Sequence, residues 1–336
     1  MPDDGKISRG FFETHVASRL GADREDVALG PKHGCDFGVI DAGGGSATVL
    51  ATDPISILPD LGFERAGRFA LHIVLSDVAV SGIPPSHLSV AFALPSEMAN
   101  EEFDRVWGAI HGECRRLGVA ITTGHTARYP GSEYPWVGAA TAIGVGDPDR
   151  IVRPDGTRPG DRIVLTKGPA VEATGLLASL FPDAIDLPAE TVATAQARLD
   201  EVRLVGDALA ITEHDGVHAM HDATEGGLLG GLHEMADSAG VRLRIDSEAV
   251  PYRPGVEATC EALGMDPWRA TTAGTLLLAV DPDDVDGVLD SLHERGTPAA
   301  EVGVARTGSG VEVDGEETSP PDGDASWPVY ARLSGR

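Results

Sequence analysis

The chain has 336 residues, 42% of them hydrophobic, enough for a sizeable core and about two domains of ordinary size. A formal net charge of −27 excludes a nucleic-acid partner as the expectation; with Lys6, Lys32 and Lys167 its only lysines, the acid-rich surface points to a halophilic, salt-rich cytoplasm. Cys35, Cys114 and Cys260 are widely spaced, the opening MPDDGKISRG lacks a signal-peptide core, and no apolar run reaches membrane-spanning length, so a soluble cytoplasmic protein with no membrane partner, disulfide framework or structural zinc is expected.

Residues 7–20 (ISRGFFETHVASRL) place Ile7, Phe11, Val16 and Leu20 at the spacing of a short amphipathic helix. GPKHGCDFGVID approaches a strand, and the turn DAGGGSA leads to a second, TVLATD, which predicts a hairpin. Residues 66–82 are apolar on nearly every face and read as a buried helix, although periodicity alone leaves a strand open. LSVAFALP reads as a strand. From Asn100, a cap candidate, Phe103, Val106, Trp107, Ile110, Cys114 and Leu117 recur at helical spacing, and VAITTGH and VGAATAIGVG follow as strands.

The Pro-, Gly- and Asp-rich stretch 146–161 marks a boundary between a first domain, 1–150, and a second, 151–307. Beyond it come strand RIVLTKG, a helical region, strand GVHAMHD and helix 225–239. Strands VRLRID and GTLLLAVD follow, then helix 283–295 and an acidic tail, 308–336, read as a short hairpin and a loose end. The alternation and the 42 glycines favour α/β architecture.

Four aspartates stand out. Asp36 sits in GCDFGVI, Asp53 ends VLATDP, Asp77 interrupts the apolar run IVLSDVAV and Asp222 lies in HAMHDATEGGLLGG. A cap or turn role is the plain alternative for Asp53 and Asp222. Asp77 is the more informative, because a carboxylate in a buried helix needs a partner or a metal. Oxygen ligands without a Cys or His cluster point to Mg²⁺, which usually arrives with phosphates. Neither a P-loop nor a Rossmann fingerprint is present. Backbone donors for phosphate are expected instead at Thr224–Glu225–Gly226–Gly227, at Thr122–Thr123–Gly124–His125 and at Lys167–Gly168, with plain turns as the alternative. His125 and His221 are candidate donors or acid–base groups. G-x-S-x-G is absent and no cysteine sits in a nucleophile motif, which leaves covalent hydrolase chemistry without support.

Five segments, GPKHGCDFGVI, ATDPI, HIVLSDVAVSGIPP, ITTGHTARYPG and MHDATEGGLLGGLHEMA, resemble in order the motifs of the PurM or AIR synthase-related superfamily. That superfamily includes aminoimidazole ribonucleotide synthase, selenophosphate synthetase, thiamine-monophosphate kinase and HypE. GKISRGFFETHV, ATDPI and GHTARYPG look closest to archaeal HypE-like proteins. The resemblance implies a two-domain α/β (α+β) fold and a homodimer whose N-terminal sheets form a shared barrel. It also implies ATP and Mg²⁺ as cofactors. By position, Asp36, Asp53, Asp77 and Asp222 would hold the metal. Thr123, Gly124, His125, Thr224, Gly226, Gly227 and Lys167 would line the nucleotide, and Asp77, Asp222 and His125 would be the catalytic residues. The implied reaction is phosphorylation of an amide, carbonyl or phosphate oxygen on a small-molecule or protein-borne substrate.

Departures limit the carry-over. The chain ends YARLSGR and its last cysteine is Cys260, so the HypE-type reaction on a C-terminal cysteine of its own is not expected. Cys35 stands where an acidic residue is usual, Phe37 where a small one is, and Thr123 where a second glycine is common. A thiamine-monophosphate-kinase-like phosphotransferase, or a nucleotide-binding assembly factor without catalysis, are the alternatives.

Overall fold

The computed structural model describes residues 5–335. In chain order the elements are α1 (Arg9–His15), β1 (Val27–Leu29), β2 (Gly38–Gly43), β3 (Ser46–Ser56), α2 (Phe63–Ala79), β4 (Pro85–Leu94), α3 (Asn100–Leu117), β5 (Ala120–Arg128) and β6 (Trp136–Gly146). Then come β7 (Arg162–Thr166), α4 (Val171–Leu180), α5 (Ala189–Gln196), α6 (Val205–Ile211), β8 (Val217–Ala223), α7 (Gly227–Ala239), β9 (Arg242–Ile245), α8 (Val256–Leu263), β10 (Thr275–Val280), α9 (Val285–Glu294), β11 (Ala299–Arg306), β12 (Gly310–Val313), β13 (Glu316–Thr318) and α10 (Ser326–Ser334). They form a mixed α/β fold of two compact units. The smaller comprises Glu25–Gly30 and Phe37–Ile151; the larger takes the chain up to Arg24, Pro31–Asp36 and everything from Val152 onward. No helix among the described residues is long and apolar enough to cross a membrane.

The smaller unit is a six-stranded sheet in the order β1-β2-β3-β6-β4-β5, with β4 and β5 parallel and the other pairs antiparallel. The apolar run at 66–82 is a helix, since 17 residues of α2 span the sheet and bury Phe69, Leu71, Val74, Leu75 and Val78. α2 and α3 approach closely because Gly67 has no Cβ; one would lie 2.8 Å from the Val106 carbonyl oxygen. Asn100 does not cap α3. Ala99 does, donating its N–H to Glu102 Oε2 (2.8 Å), while the Asn100 side chain accepts from Arg128. Alternation sorts the strands into two faces. Val49, Ala51, Val90, Phe92, Ala140 and Ala142 are buried, whereas Thr52, Ala91, Ala139 and His125 stand exposed on the other side.

The larger unit is a seven-stranded sheet in the order β13-β12-β9-β11-β7-β10-β8, antiparallel except for β9 with β12. All six residues of β10 are buried, as a central strand requires. α7 lays Leu228, Leu232, Met235 and Ala236 against Leu243, Ile245, Leu277 and Val302. A second core joins α4, α8 and the C-terminal helix through Ala173, Leu177, Val256, Leu263 and Val329. The expected hairpin after residue 307 is β12–β13, and it extends the sheet. The end expected to be loose instead folds as α10, with Val329 buried and Tyr330 edge-on to Phe181 at 5.8 Å.

Candidate metal centre at the end of β8

β8 delivers His221 and Asp222 side by side, 2% and 3% exposed, paired across the sheet with Leu277 and Leu276. Asp36 comes to them from the segment Pro31–Asp36, which belongs to the same unit. Gly34 makes that approach possible. Its φ is +76°, and a Cβ there would lie 3.1 Å from the Glu234 carbonyl oxygen. One ligand atom from each of Asp36, His221 and Asp222 falls within 4.8 Å of the other two, the spacing of a metal-binding trio.

The electrostatics around this trio are ordered. His221 Nδ1–H donates to Asp36 Oδ2 (2.8 Å) and Nε2–H to Glu234 Oε2 (3.1 Å). Lys6 Nζ donates to Glu234 Oε1 (2.6 Å), and the Lys6 backbone N–H donates to Glu225 Oε2 (2.5 Å). Burial opposes charge on His221, but the flanking carboxylates of Asp36 and Glu234 outweigh it and hold the imidazole protonated well above its usual range. Burial also opposes ionisation of Glu234, and His221 with Lys6 overcomes it, keeping that carboxyl ionised below the usual range. The cluster is therefore an alternating chain, Lys6⁺–Glu234⁻–His221⁺–Asp36⁻. Both ring nitrogens of His221 are engaged, so the donors left for an ion are carboxylate oxygens of Asp36 and Asp222, a set that fits a hard cation such as Mg²⁺.

At the β8–α7 junction Thr224 and Glu225 are half-buried and Gly226 and Gly227 carry φ values of +82° and +64°. The expected phosphate donors have partners inside the unit. Gly226 N–H donates to Asp324 Oδ2 (2.8 Å) and Gly227 N–H to the Thr224 carbonyl (3.0 Å). Asp324 is itself fixed by Ser326, whose backbone N–H reaches its other oxygen at 2.8 Å.

Lys167 lies elsewhere. Its ammonium is buried and donates to the carbonyls of Glu201 (2.9 Å), Arg203 (3.1 Å) and Gly274 (2.9 Å), with Asp207 Oδ2 at 3.1 Å. Its donors are consumed by the fold, which leaves no proton directed at a phosphate. Cys35 is half-buried, and burial with Asp36 alongside pushes its thiol up to about 11, so it is not a reactive thiolate.

The remaining expected residues belong to the smaller unit. Asp53 lies on β3 opposite Ala140, and Asp77 sits near the C-terminal end of α2. Both are half-buried, so Asp77 is not enclosed by the apolar helix as its sequence context implies. Thr123 and His125 are exposed on β5, where His125 Nε2 lies 3.0 Å from the Tyr129 hydroxyl. Gly124 is required by packing, because a Cβ would lie 2.3 Å from the Val90 carbonyl oxygen of the paired strand.

Sequence reasoning did not single out Glu234 or Asp324. Asp324 gives no local signal. Nor does Glu234, whose place three residues after the Gly231 that packs against Ala223 shows only in the folded chain.

Two family models match the chain: the AIR synthase related protein N-terminal domain over residues 34–145 and its C-terminal domain over 158–316. The carbamoyl dehydratase HypE of Rhizobium leguminosarum bv. viciae is 30% identical over 266 residues, 77% of this chain and 73% of that protein. The fold and the paired domains thus define the class: the chain belongs to the AIR synthase related family and is an enzyme of it. Among solved structures, E. coli HypE is 26% identical with a TM-score of 0.72, covering 84% of this chain and 88% of that one. AaThiL complexed with AMPPCP and TMP shares the fold at 20% identity and a TM-score of 0.70, over 86% and 90% of the two chains.

Proposed function

We propose that the protein is an ATP- and Mg²⁺-dependent HypE-like enzyme that activates an amide, carbonyl or phosphate oxygen by phosphorylation, in the maturation of hydrogenase or another metallocofactor enzyme. The observation that carries the reading is the Asp36–Asp222 carboxylate pair, fixed at a strand end beside a glycine-rich helix start. Relatives named carbamoyl dehydratase HypE support the reaction class. In the larger unit Asp36 and Asp222 hold the cation, His221 orients Asp36, and Thr224, Gly226 and Gly227 shape the junction. In the smaller unit Asp53 and Asp77 are the candidates for metal or metal-bound phosphate, with Thr123, Gly124 and His125 near the phosphates. Lys167 is given a structural role instead. Mg²⁺, when bound, would neutralise phosphate charge, and no protein nucleophile is needed.

The test is titration of ATP with and without Mg²⁺. Asp77→Ala and Asp222→Ala are each expected to abolish the Mg²⁺-dependent part of binding. Mg²⁺-dependent binding that persists unchanged in both variants would sink the metal assignment. A screen for ATP consumption with product identification then separates activities. Conversion of thiamine monophosphate to the diphosphate would favour the kinase reading that the AaThiL fold similarity admits. Intact ATP binding with no turnover would favour an assembly factor.

A further inference from the structure

We propose that Tyr129 is a positioning residue for His125: its hydroxyl holds Nε2 of the imidazole and so leaves Nδ1–H as the ring's donor to a phosphate oxygen. The proposal rests on the reading of His125 as a neighbour of the phosphates and adds which of its two nitrogens meets them.

The strand sets the pair up. Tyr129 follows His125 by four residues, so alternation along β5 carries both side chains to the same exposed face. The backbone under the tyrosine is anchored. Its N–H donates to the Leu94 carbonyl at the end of β4 (3.1 Å), and its carbonyl accepts from the Ser132 N–H (3.1 Å). Arg128 beside it donates to the Met98 carbonyl through Nε (3.2 Å) and Nη2 (2.9 Å), and to Asn100 Oδ1 (3.0 Å). From that fixed base the hydroxyl lies 3.0 Å from His125 Nε2, with the two ring planes 26° apart and their centroids separated by 6.4 Å.

The chemistry of the two groups gives the contact a direction. A phenol is a stronger acid than a neutral imidazole N–H, and an imidazole nitrogen is a better acceptor than a phenol oxygen, so the tyrosine O–H donates and Nε2 accepts. In a neutral imidazole the accepting nitrogen carries no hydrogen, and the proton sits on the other. Nδ1 has no hydrogen-bond partner among the described residues. The ring also has room, because the residues level with His125 on the next two strands are Ala91 and Ala139, both exposed and each ending in a methyl group. An ionised phosphate oxygen accepts hydrogen bonds and donates none, so an N–H fixed at Nδ1 suits it, whereas a bare nitrogen there would repel it. The tyrosine thereby equips the imidazole for an anion without charging it.

The experiment reads tautomer and ligand separately on the full chain. Nitrogen NMR of isotope-labelled histidine at about pH 8, where an ordinary imidazole is neutral, gives the ratio of Nδ1–H to Nε2–H forms for His125, whose signals are assigned by their loss in His125→Asn. The wild type is expected to favour Nδ1–H. Tyr129→Phe keeps the ring and removes the hydroxyl, and is expected to lower that ratio about fivefold, the equivalent of one ordinary hydrogen bond. Titration with ATP and Mg²⁺ is expected to show affinity about two- to fivefold weaker in Tyr129→Phe. His125→Asn puts an amide N–H where Nδ1–H stands, and is expected to retain binding and to lose its sensitivity to Tyr129→Phe. His125→Gln, which imitates Nε2 instead, is expected to bind more weakly. A wild-type ring mainly in the Nε2–H form overturns the proposal, as does a loss of affinity in Tyr129→Phe that persists beside His125→Asn. ATP affinity unchanged in His125→Ala overturns the placement of His125 at the phosphates and this proposal with it. Weaker binding in His125→Ala, with a tautomer ratio that Tyr129→Phe leaves unmoved, overturns this proposal alone.

Discussion

Glu172, in the first turn of α4, accepts hydrogen bonds on one oxygen from Thr271 Oγ1 (2.7 Å) and the Ala273 backbone (2.9 Å). Burial nonetheless pushes its carboxyl up to about 7, from an ordinary value of 4.5. A folded-state pKa above the unfolded one means the native state binds the proton more tightly. The stabilising contribution is therefore complete below the unfolded value and lost as pH rises through the folded one. Glu172→Gln keeps an acceptor for both donors and removes the titration. Its melting temperature is expected to fall less than that of the wild type between about pH 5 and pH 8; parallel slopes in thermal melts of the two proteins would refute this. The same scale shows what one-dimensional reading can and cannot reach. Asp36 and Asp222 were legible because each stands beside glycine or histidine in a short pattern. Glu234 was not, because its partners His221 and Lys6 lie 13 and 228 residues away. Lys167 misled, because a lysine closing a strand looks the same whether it faces a ligand or, as here, three carbonyls of its own fold.

The junction between β8 and α7 works as one element. Gly227 has a φ of +64°, and a Cβ there would lie 2.7 Å from the carbonyl oxygens of both Trp268 and Ala270. Gly227→Ala combines left-handed strain with overpacking, and is expected to cost about 2–5 kcal/mol in urea unfolding; a loss under about 1 kcal/mol would show that the backbone yields there. Elements with strong patterns were readable: α2 by unbroken apolarity, α3 by its helical stripe, β10 by a run of leucines. The missed elements had weak patterns for stated reasons. β11, AAEVGVAR, is built of small residues and alternates poorly in burial. α8 is eight residues long, too short for periodicity to declare itself. α10 contains Pro328, which reads as a breaker, yet it falls third in the helix, within the first turn where a missing N–H costs nothing.

At the scale of the whole molecule the homodimer that the family resemblance implies would meet a net charge of −27 on each chain. Like-charged partners repel at long range, and salt screens that repulsion within about 10 Å at 0.1 M and about 3 Å at 1 M. Light scattering is expected to report roughly twice the 34.9 kDa chain mass in molar salt, with dissociation as salt is withdrawn. A monomer at every ionic strength would overturn the homodimer that the family resemblance implies. The exposed face that Thr52, Ala91 and Ala139 give the smaller unit's sheet is where a single negative substitution is best placed to probe it.

The allotment of chain between the two units bears on how the protein is made. Residues 37–151 of the smaller unit leave the ribosome as one stretch, preceded only by Glu25–Gly30, and hold everything that sheet needs. The larger unit's first pieces, carrying Lys6 and Asp36, emerge before residues 37–151, while Glu234 follows 228 residues after Lys6. At ribosomal speeds that interval is roughly ten to fifty seconds. During it Lys6 and Asp36 lack the partners that Glu234 and His221 supply in the folded chain. The candidate metal centre is thus closed late, by a segment that was translated first. A fragment started at residue 152 would retain the sheet but lack both the lysine that seats Glu234 and the aspartate that completes the trio.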